Sequence, residues 1–180
     1  KDHNPNPFSE TFIDACVELG YPRTDDFNGP NMLGAGWHHL NIRNGRRHSA
    51  NEAYIEPYIG GRPNWTLSPN SYATKLLFEG KRCVGVEDVK DGQKMTARAT
   101  GEVIVAGGAI ESPHLLMLSG IGPAAHLREH GIDVVVDLPG VGQNFHNHVL
   151  TGMIYETNRP LPAPNLQMSE SAMFCKSDAG

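Results

Sequence analysis

The sequence predicts a mixed fold, α/β at its centre and α+β in its flanks. Three observations lead to this. Residues 73–99 read as short β-branched strands joined by tight turns, a β-meander. Residues 102–122 read as strand, small-residue turn and capped helix, the unit from which α/β layers are built. Strand-like stretches then return at 149–155 and 169–175, on either side of a Pro-rich connection.

The central unit is the most informative. Residues 102–106 (EVIVA) form a short apolar, β-branched run and are expected as a buried strand. Ala106-Gly107-Gly108-Ala109 is a turn of small residues, where backbone bends tightly and a ligand can approach. Ser112 is expected as an N-cap and Pro113 as the first helical residue. Leu115, Leu116, Met117 and Leu118 then make a short buried helix closed by Gly120. Such a turn suits a phosphate or ribose, because free N–H groups point outward. It equally suits a βα corner whose glycines serve only close packing.

The rest follows in order. Asn4-Pro5-Asn6-Pro7 is an extended lead-in. Ser9 is expected to cap a helix that carries Phe12, Ile13, Cys16, Val17 and Leu19 at helical spacing and stops at Gly20. Residues 25–36 read as a loop. Its Gly34-Ala35-Gly36 lacks a preceding strand and a following helix, so it is rejected as a dinucleotide loop. Residues 37–43 are expected as strand, with Asn44-Gly45 as a turn. Ser49 and Glu52 form a capping box for a helix running through Tyr58. Strands are expected at 65–68, 73–79, 83–89 and 94–99, with turns at Gly80-Lys81 and Asp91-Gly92. A helix from Pro123 to His130 ends at Gly131 and is followed by a strand at 132–138. Residues 139–142 turn, 149–155 and 169–175 read as strands, and 158–164 connect them.

Composition narrows the function. The 180 residues allow one domain or parts of two. Net charge is −5 with no long block of one sign, which argues against nucleic acid as a partner. No apolar run is long enough to span a bilayer, and no signal peptide is visible. Cys16, Cys83 and Cys175 are far apart and odd in number. They suggest neither a zinc site nor a disulfide framework, but small apolar groups in a reducing compartment, here read as cytoplasmic. Peripheral membrane association stays open. The first residue is Lys1 and the last, Gly180, follows a strand-like stretch, so the chain is expected to be a piece of a longer protein.

Two histidine pairs have the composition of metal ligands. His38 and His39 are adjacent, so in a strand they point to opposite faces and do not share an ion. His146 and His148 share a strand face, but no acidic or thiol partner lies near in sequence, and a stable site needs three or four ligands. No metal site is assigned.

The string from Gly108 to Gly122, GAIESPHLLMLSGIG, resembles a signature of the glucose–methanol–choline (GMC) oxidoreductases, matching each of its defined positions. These are FAD-dependent alcohol oxidases and dehydrogenases. Gly45-x-Arg47-x-Ser49-Ala50 with Ala53-Tyr54-Ile55-x-Pro57, the Gly80–Glu87 hairpin and Gly140-Val141-Gly142-Gln143-Asn144 are similar to further family stretches. Where the family usually has Asn-Leu-Gln-Asp-His, this chain has Asn144-Phe145-His146-Asn147-His148, so Asn147 removes a charge.

The resemblance implies a fold and a site. Residues 1–150 would be the middle of a Rossmann-like FAD-binding domain with its meander, and 151–180 the start of an antiparallel-sheet substrate domain. The backbone at Ala73 would meet the adenine of FAD. Ala106 and Gly107 would pass close to the cofactor, with Gly108, Ser112 and Asn144 as further contacts. The G-x-G-x-x-G strand–helix unit that clamps the pyrophosphate is absent from these residues, and so is the family's C-terminal His with its His or Asn partner. No catalytic residue is therefore assigned within this chain. The implied reaction is oxidation of an alcohol CH–OH group by hydride transfer to flavin. Its partners are a small-molecule alcohol and an electron acceptor, oxygen or another. Two alternatives stand beside it: an FAD-containing hydroxynitrile lyase of the same family, and a non-catalytic binding module.

Overall fold

The computed structural model describes residues 6–161 and 169–176. The first half holds α1 (Pro7–Glu18), β1 (Gly34–Trp37), β2 (Ile42–Arg43), β3 (Arg46–Arg47) and α2 (Ala50–Tyr54). The meander follows as β4 (Tyr72–Glu79), β5 (Arg82–Lys90) and β6 (Gln93–Arg98). Then come α3 (Gly108–Leu118), β7 (Ile121–Gly122), α4 (Ala124–Glu129), β8 (Val136–Asp137) and β9 (Ser171–Phe174). The chain divides into two compact units, Lys1–Trp65 with Met153–Gly180, and Thr66–Gly152. The mixed α/β class with antiparallel sheets is as expected. The lead-in at 4–5 and the connection at 162–164 lie outside the described residues.

In the first unit the core is Ile13, Cys16 and Ala35, against which Trp37 and Met173 pack. Complete burial of a side chain such as Ile13 is worth roughly 1.5–3 kcal/mol. The helix starts earlier than expected. Asn6, not Ser9, is the N-cap: its side chain accepts from the Phe8 N–H at 2.9 Å, and Pro7 takes the first turn. Gly34-Ala35-Gly36, read as loop, is the strand β1, antiparallel to β9. Its other edge meets residues 22–24, with Ala35 donating to the Pro22 carbonyl at 2.8 Å and accepting from Thr24 at 2.9 Å. A Cβ on Gly36 would run into the Thr24 carbonyl, so glycine serves close backbone approach there. The expected strand at 37–43 is consequently split, into the end of β1 and the short β2–β3 hairpin around Asn44-Gly45.

The capping box is formed as read. Ser49 Oγ accepts from the Glu52 N–H at 3.3 Å, and the Ser49 N–H donates to Glu52 Oε2 at 2.7 Å. The helix is shorter than expected and passes into a 3-10 turn at Glu56–Tyr58.

In the second unit β4, β5 and β6 form the antiparallel meander, in that order. Two irregularities bend it, one between Ala73 and Lys75, the other between Leu77 and Phe78. At the first, Thr74 is the extra residue, and its hydroxyl donates toward the Glu87 carbonyl at 3.2 Å. Gly120, at φ +88, closes α3 in the left-handed region. The chain then forms the parallel pair β7–β8 across α4, whose Leu127 is 1% exposed.

Three expected strands are not formed. Residues 65–68 are irregular, and residues 102–106 and 149–155 have no ladder partner among the described residues. The patterns are apolar and β-branched, but a strand exists only where a neighbour accepts its backbone hydrogen bonds. The strand expected at 132–138 shrinks to β8 for the same reason. Cys16 is buried as expected, whereas Cys175 is exposed. Among the described residues no helix is long and apolar enough to cross a membrane.

Candidate functional site

The site is built where the 102–106 run ends. Gly107 is the N-cap of α3 and has no side chain to satisfy the first-turn N–H groups, which stay open to solvent or a ligand. Gly108, at φ +85, needs glycine for its left-handed turn. A Cβ on Gly107 would press on Glu111 Cβ at 3.2 Å and Ser112 N at 3.3 Å, so the turn hugs the helix. This geometry overturns the expected start of the helix. The two glycines let it begin at residue 108, which puts Ser112 and Pro113 inside it. Pro113 leaves the Ala109 carbonyl without its helical donor. The helix is also less buried than expected, since none of its residues is fully buried and Leu118 is 38% exposed.

A cleft of about 350 Å³ lies between this turn, one face of α3 and the meander. Ala73 lines it together with Ala106 and Gly107, more than thirty residues further along the chain. Leu76, Val86 and Val103 make its walls apolar, and Tyr72, Glu111 and His114 supply its polar side chains. Glu111 and His114 form an i,i+3 pair, with Nδ1 and Oε2 3.2 Å apart. Ala73 lines the cleft next to the Thr74 irregularity, a setting in which bulges re-aim backbone and side chains. Directly across the ladder from Ala73 is Asp88. Its Oδ1 is buried and has no hydrogen-bond partner among the described residues.

Ser112 and Asn144 lie elsewhere. They line a second cleft of about 700 Å³, between the opposite side of α3 and residues 140–146. Asn144 has φ +56, and its carbonyl is 2.7 Å from His146 Nδ1. Gly108 lines neither cleft. Thus three of the six expected residues converge, two share the neighbouring cleft, and one shapes the turn. Among the described residues no three His, Cys, Asp or Glu side chains gather to hold a metal.

Two features escaped the sequence reading. Glu111, His114, Leu115 and Leu118 follow i, i+3, i+4, i+7 spacing, which puts them on one helix face, and all four line the first cleft. That spacing was the available signal. Ser119 is 2% exposed and ties the helix to the meander. Its Oγ donates to the Leu115 carbonyl at 2.6 Å and accepts from the Leu76 N–H at 2.8 Å.

An apolar cleft edged by open helix N–H groups is a place where a ligand with an apolar ring and an anionic group can sit. The chain belongs to the GMC oxidoreductase family, which it matches over residues 1–150. It is 46% identical over 175 residues to an oxygen-dependent choline dehydrogenase of Brucella suis, covering 97% of this chain and 31% of that protein. It is 44% identical over 162 residues to the human mitochondrial choline dehydrogenase, covering 90% of this chain and 27% of that one. The solved pyridoxine 4-oxidase of Mesorbium loti superposes with a TM-score of 0.84 at 36% identity, over 96% of this chain and 34% of its own. An FAD-dependent oxidoreductase from Chaetomium thermophilum gives 0.66 at 34% identity, over 78% of this chain and 25% of its own. The chain therefore spans about a third or less of the length of these relatives. FAD is the cofactor of this family fold.

The residues present fit part of such a group. The cleft is within the size range of ligand sites, roughly 300–1,000 Å³, and it joins a flat apolar wall to a polar edge. At that edge the first-turn N–H groups of α3 have no side-chain cap and can meet an anionic group.

Proposed function

We propose that this chain is the central part of a GMC flavoenzyme that oxidises the CH–OH group of a small-molecule alcohol. What supports the reading is that Ala73, Ala106 and Gly107 line one cleft in a chain of this family. In the proposal Ala73, Ala106 and Gly107 receive the adenine end of the cofactor. Gly108 holds the turn open toward its sugar and phosphates, and Ser112 and Asn144 contribute from the neighbouring cleft. Residues 1–150 serve the cofactor domain and 151–180 begin the substrate domain, a boundary supported by the end of the family match at residue 150. The catalytic base lies outside this chain. FAD, when bound, would supply the acceptor for the hydride from the alcohol carbon, and a base outside these residues would take the hydroxyl proton. The acceptor that reoxidises the flavin is oxygen or another oxidant.

The two curated relatives described above are named as dehydrogenases, and the lyase alternative gains no support. Anaerobic mixing of the full-length flavoprotein with choline and with simple primary alcohols tests the reading. Bleaching of the flavin band by at least one of them is expected. A band that no alcohol in such a panel bleaches would exclude alcohol oxidation.

A further inference from the structure

We infer that His126 and His130, at the end of α4, form a binding site for a divalent transition-metal ion, Cu²⁺ above all. The two residues line neither cleft, and the inference does not depend on the cofactor reading.

The spacing places them together. Positions i and i+4 of a helix are neighbours on one face. His126 lies in the last turn of α4, and His130 is its C-cap. The residues that follow lock that end. Gly131, at φ +69, donates to the Arg128 carbonyl at 3.0 Å, and the Ile132 N–H donates to the Leu127 carbonyl at 2.9 Å. These are the two hydrogen bonds of a Schellman motif. Leu127, between the histidines in sequence, is buried and anchors the turn, while both histidines are exposed.

The rings already stand near a chelating geometry. They meet edge to face, with centroids 4.7 Å apart and planes at 77°. Imidazoles that bind one ion at adjacent corners of a square, through metal–nitrogen bonds of about 2.0 Å, have centroids roughly 4.5 Å apart. A pair held close to its bound arrangement loses little freedom on binding. Among the described residues no hydrogen bond or ion pair engages either ring. By contrast, Nδ1 of His39, His114 and His146 faces Asp26, Glu111 and the Asn144 carbonyl. Arg128 is two residues from each histidine, a spacing at which helix side chains do not face each other.

The donor set selects the ion. Among the described residues no third His, Cys, Asp or Glu joins the pair, which falls short of the closed shell of structural zinc. Two nitrogens, with water completing a tetragonal shell, suit Cu²⁺ or Ni²⁺, and the affinity order of divalent ions puts Cu²⁺ first.

The test titrates copper(II) chloride into the full-length protein, flavin left in place, against glycine as a competing chelator. The bound ion is read by electron paramagnetic resonance. Wild type is expected to bind a Cu²⁺ ion through two imidazole nitrogens, and Ni²⁺ or Zn²⁺ at equal concentration should not displace it. His126→Gln and His130→Gln should each weaken that site at least about tenfold, the loss expected when a two-point contact becomes a single one, and should leave one imidazole nitrogen in its spectrum. Far-ultraviolet dichroism and flavin content that match wild type show that a ligand, not the fold, was removed. No Cu²⁺ bound through two imidazoles in wild type overturns the inference. So does such an ion whose affinity neither substitution lowers.

Discussion

Ser119 shows how one hydroxyl fixes the site from behind. β4 is an edge strand of the meander, so part of its backbone faces away from β5, and the Leu76 N–H finds its acceptor in Ser119. Leu76 is 4% exposed, so removing that oxygen strands a buried donor. Ser119→Ala is expected to cost the full-length protein about 1–3 kcal/mol in urea unfolding, with flavin retention falling alongside. Ala73 behaves oppositely. It is exposed and lines the cleft, so Ala73→Phe fills the ligand's place at little cost to the fold. Its unfolding midpoint should stay within about 0.5 kcal/mol of wild type, while FAD affinity drops at least about tenfold. Unchanged affinity would remove Ala73 from the site. Residue identity alone made Ser119 and Glu111 unreadable as site residues. A serine in a helix is ordinary, and only the fold puts it under Leu76.

At the scale of elements, what the sequence made legible is what is local. The turns at Asn44-Gly45, Gly80-Lys81 and Asp91-Gly92 and the three meander strands follow from backbone preferences of a few residues, and they form. The Ser49–Glu52 capping box is of the same kind. Here the Ser49 N–H holds the Glu52 carboxyl below its ordinary range. Because the folded pKa is lowered, the stabilisation is present above the ordinary carboxylate range and is lost as pH falls through the lowered value. Amide protection factors in α2, corrected for the intrinsic pH dependence of exchange, should therefore fall on acidification, and Glu52→Gln should flatten that dependence. Ser49→Ala should loosen the same turn by about 0.5–2 kcal/mol. What was not legible is non-local. Residues 102–106 and 149–155 carry strand patterns, yet strandness belongs to a pair, and neither segment has a ladder partner among the described residues. Gly34-Ala35-Gly36 was misread because its glycines answer to Pro22 and Thr24, which sequence proximity does not announce. The helix starts after Gly107 rather than at Ser112-Pro113 because the glycine turn overrides that local capping signal.

For the whole molecule, the family match over residues 1–150 joins the meander, the βα turn and the cleft into one account. The convergence of Ala73 with Ala106 and Gly107 was legible only through resemblance to a family, because alanine and glycine side chains carry no chemistry of their own. The polar edge formed by Tyr72, Glu111 and His114 needed the structure, since it joins a strand to a helix face. The central claim is that the protein holds FAD and uses it on an alcohol. The most direct test is the visible absorption spectrum of the native full-length protein, with the released flavin identified by chromatography. The account predicts a visible flavin absorption band and release of FAD rather than FMN or riboflavin. Native, folded protein with no flavin, or with a flavin that lacks the adenine the cleft is proposed to receive, would contradict it.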